Sequence, residues 1–332
     1  MKLRSRWTTA IFLIAAYALP NYVAAQKSLN ESESTAWPRK PIRILVGFPG
    51  GSSPDLTARI LAEPLAKALG QPVIIENKPG ASGNIAADQI AKATDDHTLG
   101  IVINGNLTSA KLLYAKLPYD PAKDFTFISL LTTAPLLLVA PPNLPEGAGF
   151  FAAAQKGGDQ WNYGSAGTGT VAHLGMELIK SKLLGVMPVH VPFSGNPQVV
   201  TAMLSGQIQM ALMPPGVAMP YVRSGKLIAV GLTSNGRSAL VPTVPPLSDA
   251  GLRNVNLEVW NALVAPSSLS KAAQVRLTQE VAKIIRDADI RQKLFTQGWQ
   301  AVGTSSEGLK SRINEETAIL GNIIQTRHIN IE

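Results

Sequence analysis

The chain has 332 residues, of which 45% are hydrophobic and 16% charged, so it can bury the core of about two domains and is not a disordered protein. Cysteine is absent, which excludes disulfides, cysteine-ligated metals and a cysteine nucleophile. The net charge of +8 is scattered, without a basic run or interleaved aromatics, so no nucleic-acid partner is expected.

The first 25 residues predict a cleaved secretory signal peptide. Residues 1–6 are basic, residues 10–19 form an uninterrupted apolar run, and Val23, Ala24 and Ala25 supply a small-residue cleavage site. A membrane anchor is the alternative, but a bilayer span needs about 20 apolar residues. Residues 26–36 are polar and predict a flexible leader. We therefore expect an exported, periplasmic protein that begins at Gln26.

From residue 37 onward, predicted strands and helices alternate, which is typical of an α/β protein. We predict mainly parallel sheets that are covered on both faces. The predicted strands are residues 42–48, 73–76, 99–103, 127–131, 136–139, 161–164, 188–191, 208–212, 228–232 and 259–265. The predicted helices are residues 54–69, with Ser53 as N-cap and Gly70 as the stop, and residues 84–92, 107–114, 171–184, 197–205, 270–285 and 306–324.

A Gly-rich turn, GFPGGSSPD at residues 47–55, joins the first strand to the first helix. It lacks the lysine of a P-loop and does not fit the dinucleotide-binding pattern. It still places backbone N–H groups beside a helix N-terminus, where an anion can bind without a metal; a plain tight turn is the alternative. The candidate ligand-binding residues of this first turn are Phe48, Gly50, Gly51, Ser52, Ser53 and Asp55.

A second turn of the same kind, YGSAGTGT at residues 163–170, follows a strand and precedes a helix. Two such turns favour one anion held between two helix N-termini, in a cleft between α/β domains. Neither turn carries Lys or Arg, so amides, hydroxyls and helix dipoles would meet the charge. His173 either donates to the anion or orders the turn. The candidates here are Ser165, Ala166, Gly167, Thr168, Thr170 and His173.

Catalytic and metal motifs are poorly represented. The sequence contains no G-x-S-x-G nucleophile elbow. Residues 268–271 match S-x-x-K, but they stand at a predicted helix start without the companion motifs, which favours a helix cap. The four histidines lack zinc-site spacing. We therefore expect no catalytic residue, no metal site and no cofactor.

Several segments resemble the Bug-type solute receptors of tripartite tricarboxylate transporters. The resemblance runs from about residue 37 to the end of the chain, and ENKPGASGNI at residues 76–85 and YGSAG at residues 163–167 are its most specific parts. The other similar segments are residues 37–43, 69–73, 117–121, 173–174, 225–227 and 241–244.

The resemblance implies a two-lobed periplasmic binding protein of the Venus-flytrap type. Residues 37–133 and 262–332 would form the first lobe and residues 134–261 the second, with crossovers near residues 131–140 and 258–265. A small carboxylate would be held by the two turns from opposite lobes, often with ordered water. The receptor, expected to be a monomer, would deliver it to the permease subunits of the transporter without catalysis.

The chain also departs from the family pattern. Pro54 brings neither an N–H nor a hydroxyl, Ser194 stands where the family has a lysine, and Met213 stands where it has a carboxylate. Phe193 and Met213 thus become candidate apolar contacts, and we predict a carboxylate with an uncharged, partly apolar body. An exported α/β hydrolase, or a receptor for a signalling partner, is the alternative function.

Overall fold

The computed structural model describes residues 37–329, so the predicted signal peptide and leader lie outside the described residues. The chain divides into a unit that ends at Arg39, of which residues 37–39 are described, and a unit of residues 40–332 that holds every described strand and helix. Between residues 37 and 329, no helix has both the length and the apolar character that a bilayer crossing requires.

Strands and helices alternate along most of the second unit. The strands are β1 (Ile42–Val46), β2 (Val73–Asn77), β3 (Thr98–Ile103), β4 (Phe125–Pro135), β5 (Leu137–Ala140), β6 (Asn162–Ser165), β7 (Val189–Pro192), β8 (Met210–Met213), β9 (Ile228–Leu232), β10 (Glu258–Pro266) and β11 (Gln300–Ala301). The helices are α1 (Ser53–Leu69), α2 (Asn84–Ala91), α3 (Asn104–Leu107), α4 (Ala110–Leu113), α5 (Ala148–Gly157), α6 (Val171–Lys182), α7 (Asn196–Leu204), α8 (Pro215–Arg223), α9 (Lys271–Arg286), α10 (Ala288–Thr296) and α11 (Ser306–Thr326).

The strands form two sheets, each with its own core. The first is six-stranded, in the order β11-β4-β10-β3-β1-β2, and the second is five-stranded, in the order β7-β6-β8-β5-β9. Buried residues such as Leu45, Ile90 and Trp260 form a cluster on the first sheet, and Val139 and Met213 belong to a separate cluster on the second. We call the parts built on these sheets the first and the second lobe.

The predicted two-lobed α/β class with two crossovers is confirmed, but the sheets are mixed rather than mainly parallel. In the first sheet β1 pairs in parallel with β2 and β3, whereas β10 is antiparallel to both β3 and β4. In the second sheet β6, β7 and β8 are parallel, whereas β5 is antiparallel to β8 and β9. The antiparallel pairs arise at the crossovers. A strand that enters a lobe at the cleft, as β5 and β10 do, runs away from the cleft, whereas the strands beside it run toward the cleft and end there.

The chain leaves the first sheet after Pro135 and returns to it at Glu258. These two residues are paired across β4 and β10, so both crossovers lie side by side at the same end of the first sheet. The return comes four residues earlier than the predicted boundary at residue 262, because β10 pairs with β4 along its whole length, from Glu258 to Pro266.

Thr233 joins the two crossovers. Its backbone N–H donates to Leu136 O at 2.9 Å, and its Oγ1 accepts from Leu136 N at 2.9 Å. The same Oγ1 donates to Leu257 O at 2.7 Å, and Leu257 N donates to Thr233 O at 2.9 Å. Thr233 is fully buried, at 0% exposure, so these bonds are not exchanged with water. One threonine therefore fixes both chain crossings to each other.

Replacing Thr233 by valine should lower the free energy of unfolding by about 2 kcal/mol or more, because the isosteric side chain leaves Leu136 N–H and Leu257 C=O without their hydroxyl partner. Urea unfolding followed by circular dichroism measures this change. Thr201→Val is the matched control, because the exposed Thr201 hydroxyl donates only to Pro197 O in its own helix. Equal stabilities of the two variants would contradict the assigned role.

Candidate anion site between the lobes

A small cavity lies where the two lobes meet. Its free volume is about 40 Å³, and most of the side chains around it are apolar. No lining residue carries a charge. The cavity is lined by Phe48, Ser52, Ser53, Pro54, Ile103, Leu136, Ala166, Thr170, Val171, Ala172, Asn196, Pro214 and Val259.

Four helix N-termini converge on this cavity. Ser53 and Val171 are the first residues of α1 and α6, Asn196 is the first residue of α7, and Pro214 is the N-cap of α8. All four helices have at least nine residues. Helix N-termini carry partial positive charge and N–H groups that lack intrahelical partners. The first and second turns were expected to provide two of these termini; α7 and α8 add two more.

The first turn offers two unpartnered hydroxyls. Ser52 and Ser53 are 1% and 3% exposed, and neither Oγ atom has a hydrogen-bond partner in the protein. Ser52, rather than the predicted Ser53, is the N-cap of α1, yet its side chain makes no capping bond. Pro54 follows at the second helical position and has no N–H to offer. Both hydroxyls are thus available to a ligand in the cavity that they line.

Asp55 holds the first turn in shape instead of lining the cavity. Its carboxylate accepts from Gly51 N at 2.9 Å, from Asn77 Nδ2 at 2.9 Å and from Arg59 Nε at 3.0 Å. Burial opposes its ionisation, but the bonds from Arg59, Asn77 and Gly51 lower the pKa of Asp55 below its ordinary value. Gly50 and Gly51 are exposed and lie outside the lining. Asp55 therefore positions the turn from behind.

The second turn is closed by its own hydroxyls. Thr170 is the N-cap of α6; its Oγ1 donates to Gly167 O at 2.8 Å and accepts from His173 N at 3.4 Å. Ser165 is buried, and its Oγ lies 3.0 Å from Gly167 O. Of the predicted residues in this turn, Ala166 and Thr170 line the cavity, whereas Ser165, Gly167 and Thr168 shape the turn around it.

Two stacked imidazoles support this second turn. The rings of His173 and His190 lie 4.0 Å apart. His173 Nδ1 accepts from Gly169 N at 3.1 Å, and His190 Nε2 lies 2.7 Å from Ser165 Oγ. Burial lowers the pKa of His173 to about 4, and burial together with His173 lowers the pKa of His190 to about 3. His173 thus orders the turn as a neutral acceptor and does not line the cavity.

A charged network lies on the far side of the histidine pair. The Tyr163 hydroxyl donates to Glu177 Oε1 at 2.6 Å, and Lys180 Nζ lies 2.7 Å from the same oxygen. Burial opposes ionisation of Glu177, but the bonds from Lys180 and Tyr163 lower the pKa of its carboxyl. Arg327, just beyond the end of α11, lies 3.7 Å from Glu177 Oε2. These charges pair with one another, away from the cavity lining.

Phe193 and Met213 do not line the cavity. Met213 is 0% exposed and belongs to the core cluster of the second lobe, and Phe193 packs against that cluster. Met213 is the last residue of β8 and pairs with Leu137, which directs its side chain into the core. The next residue, Pro214, faces the cavity instead. Asn196 is the polar lining residue that sequence reasoning missed; its position at the start of α7, after Gly195, was the available signal.

Metal chemistry has no support in the described part of the chain. Among residues 37–329, no group of three or more His, Asp or Glu side chains is arranged to hold a metal ion. The cavity therefore presents hydroxyls, one amide and four helix N-termini within apolar walls. The fold is that of a two-lobed binding protein, and this cavity is its candidate anion site.

Comparisons with known proteins agree with this class. A family model described as "Tripartite tricarboxylate transporter family receptor" matches residues 57–329. A UPF0065 protein of Cupriavidus necator, described by its position in the gbd 5' region, is 34% identical over 268 residues, covering 80% of this chain and 80% of the relative. The structure of MatC from Rhodopseudomonas palustris with bound malate is 32% identical, with a TM-score of 0.81, and covers 87% of this chain and 100% of that one.

A further similar structure is that of R. palustris Rpa4515 with adipate, which is 26% identical with a TM-score of 0.85 and covers 89% of this chain and 99% of that one. The protein belongs to the tripartite tricarboxylate transporter receptor family, which confirms the resemblance drawn from residues 76–85 and 163–167. That family consists of solute-binding receptors, not enzymes. The family match begins at Thr57, so the first turn lies outside the matched range, whereas the second lies within it.

The histidine pair predicts acid-sensitive stability. The pKa values of His173 and His190 lie below their ordinary 6.5 in the folded protein, so the unfolded chain binds more protons as the pH falls. Their contribution is fully present above about pH 6.5 and should be lost as the pH falls toward 4. Urea unfolding measured between pH 7 and pH 4 should show this decline.

A His173→Asn, His190→Gln double variant should flatten the decline, since the Asn oxygen can replace the accepting Nδ1 of His173, the Gln amide can bond Ser165 Oγ in either direction, and neither amide titrates. His328→Gln is the control, because His328 is exposed. Parallel curves for the wild type and the double variant would show that the pair does not sense pH.

Proposed function

We propose that this protein is a periplasmic receptor that captures a small carboxylate between its two lobes and delivers it to the permease subunits of a tripartite tricarboxylate transporter. The predicted signal peptide supports export, and a monomer is the form that we expect to bind. Two similar structures, by their descriptions, hold malate and adipate, both of them carboxylates.

One observation carries the proposal: the unpartnered hydroxyls of Ser52 and Ser53 lie at the same cavity as four helix N-termini. A buried hydroxyl without a partner costs about 1–3 kcal/mol, which a ligand recovers when it accepts a hydrogen bond. Each helix N-terminus favours negative charge by about 0.3–1 kcal/mol, and by up to about 2 kcal/mol when partly buried. A carboxylate satisfies both requirements together, because it only accepts hydrogen bonds and carries the matching charge.

The cavity walls restrict the rest of the ligand. Phe48, Pro54, Ile103 and Val259 present apolar surface, and no acidic residue lines the cavity. An ammonium group buried here would lack a counter-charge, at a cost of several kcal/mol. Asp55, the nearest acid in sequence to the first turn's hydroxyls, is occupied by Gly51, Asn77 and Arg59. The support is therefore for a carboxylate with an uncharged and largely apolar body.

The serine–histidine contact of the second turn does not support the hydrolase alternative. Ser165 Oγ lies 2.7 Å from His190 Nε2, which is the distance of a nucleophile–base pair. Ser165 is, however, buried outside the cavity lining, and in the described part of the chain no carboxylate bonds His190 to orient it. The same hydroxyl lies 3.0 Å from Gly167 O, so the contact serves to hold the turn.

Removing the two hydroxyls should weaken binding without weakening the fold. Ser52→Ala and Ser53→Ala should each raise the dissociation constant about tenfold or more, because a hydrogen bond to a charged group contributes about 1.5–3 kcal/mol. Isothermal titration calorimetry with malate, adipate and butanoate measures the loss in whichever acid binds. Thermal stability should not fall and should rise slightly, since neither hydroxyl bonds to the protein and each variant removes one buried, unpartnered group. Ser224→Ala, on an exposed turn, is the control, and unchanged affinity in both cavity variants would remove the anion site.

The nature of the ligand body is tested with matched pairs of acids. Butanoate should bind at least tenfold more tightly than 2-aminobutanoate, and adipate more tightly than 2-aminoadipate, because the added ammonium finds no carboxylate in the cavity lining. Competition calorimetry gives both ratios. Tighter binding of the amino acids would reverse the assignment of the ligand body while leaving the carboxylate site in place.

A further inference from the structure

Two serine hydroxyls of the first lobe reach across the cleft to consecutive carbonyls of the second turn. Ser82 Oγ donates to Thr168 O at 2.8 Å, and Ser109 Oγ donates to Gly169 O at 2.7 Å. We propose that this pair of bonds is a closure latch, which holds the lobes together and sets how long the ligand stays bound. The consequence for the ligand rests on the proposed function; the latch itself does not.

The accepting side of the latch is held rigidly within the second lobe. Gly167 O points into the turn, where Thr170 Oγ1 donates to it, and Gly169 N–H is bound to His173 Nδ1. Gly169 N–H shares a peptide plane with Thr168 O, and Thr170 N–H, which shares a plane with Gly169 O, donates to Gly167 O at 3.3 Å, so the planes of both accepting carbonyls are held. Thr168 O and Gly169 O consequently face the first lobe in a set direction.

The donating side is equally constrained. Ala81 and Ser82 adopt left-handed backbone conformations, with φ of 47° and 55°, which non-glycine residues rarely do. Such conformations persist only where the surroundings impose them, and here the Asn106 side chain donates to Ser82 O at 3.0 Å. Ser109 lies between α3 and α4, which are separated by the non-helical Thr108. Both hydroxyls thus stand on backbone that is shaped by contacts within the first lobe.

Glycines allow the close approach that the latch needs. A side chain at Gly167, whose φ is 134°, would collide with the Ser82 hydroxyl. A side chain at Gly105 would come within 3.3 Å of Gly169 O. The space left around these contacts is about 10 Å³, roughly the minimum for one water molecule. The Ser109–Gly169 bond is buried and the Ser82–Thr168 bond is partly buried.

The latch is separate from the ligand cavity. Ser82, Ser109, Thr168 and Gly169 are absent from its lining, whereas Ser52 and Ser53 belong to it. Loss of the latch should thus speed dissociation of every ligand alike and leave the preference among acids unchanged. Loss of a cavity hydroxyl should instead affect each acid according to its contacts. The two kinds of serine can be told apart by measurement.

The test compares Ser82→Ala, Ser109→Ala and the double variant with Ser268→Ala. Ser268 is the matched control because its hydroxyl donates to the backbone carbonyl of Ala93 within the first lobe. The chain contains no cysteine, so Glu63→Cys and Lys226→Cys place one spin label on each lobe without competing sites. Pulsed electron paramagnetic resonance then gives the distance between the two labels, with and without malate or adipate. Stopped-flow mixing gives the rate at which the ligand dissociates.

We expect the wild type to populate the short interlobe distance and the double variant to lose most of it. At about 1 kcal/mol for each net hydrogen bond, each single variant should release ligand about fivefold faster and the double variant about thirtyfold faster. Ser82→Ala alone decides the matter if Ser109→Ala reduces stability, since Ser82 is only half-buried.

Distances and release rates equal to those of Ser268→Ala would overturn the latch, as would faster release with an unchanged distance or a wild type that never closes. Failure of the proposed function has a different signature. In that case neither acid would give heat with the wild type or change its interlobe distance, while the distances in the unliganded variants would still decide the latch.

Discussion

The binding site depends on how the chain passes between the lobes. Strands β4 and β10 pair along nine residues of β10, and Thr233 fixes Leu136 and Leu257 at the point where both crossings occur. With the crossings pinned, the carboxyl end of β1 faces those of β6, β7 and β8 across the cleft. Helices that follow such strands must begin there, so the convergence of four helix N-termini follows from topology.

The ionisable side chains near the site hold its surroundings in place and do not line the cavity. Asp55 ties down the first turn, Glu177 pairs with Lys180 beside the histidine stack, and the buried Glu316 accepts from Asn104 and Trp260 beneath α3. Burial raises the pKa of Glu316, which favours its neutral form. The proposed anion would thus meet oriented dipoles and hydroxyls instead of a fixed cation, an arrangement compatible with strong orientation and ready release.

Local sequence patterns predict the two turns but not the hydrogen bonds that join the lobes. Pro54 near the start of α1 and Gly70 at its end mark that helix, and small residues after β6 mark the second turn. α8 was missed because its first residues, Pro215 and Gly216, are poor helix formers in isolation. The Ser82–Thr168 and Ser109–Gly169 bonds join residues 86 and 60 positions apart, and no periodicity within either segment encodes them.

The effect of each departure from the family pattern depends on whether its side chain faces the core or the cavity. Met213 and Pro214 are neighbours, yet the first is enclosed in the second lobe's core and the second faces the cavity. A replaced residue at position 213 therefore changes core packing, whereas Pro54, at the second position of α1, removes an N–H donor beside the proposed ligand site. Pro214 adds apolar surface to the same cavity. Because the polar side-chain donors left to the cavity are then Ser52, Ser53 and Asn196, with Thr170 bonded within its own turn, the proposed site would satisfy one acidic group while the rest of the ligand makes apolar contacts.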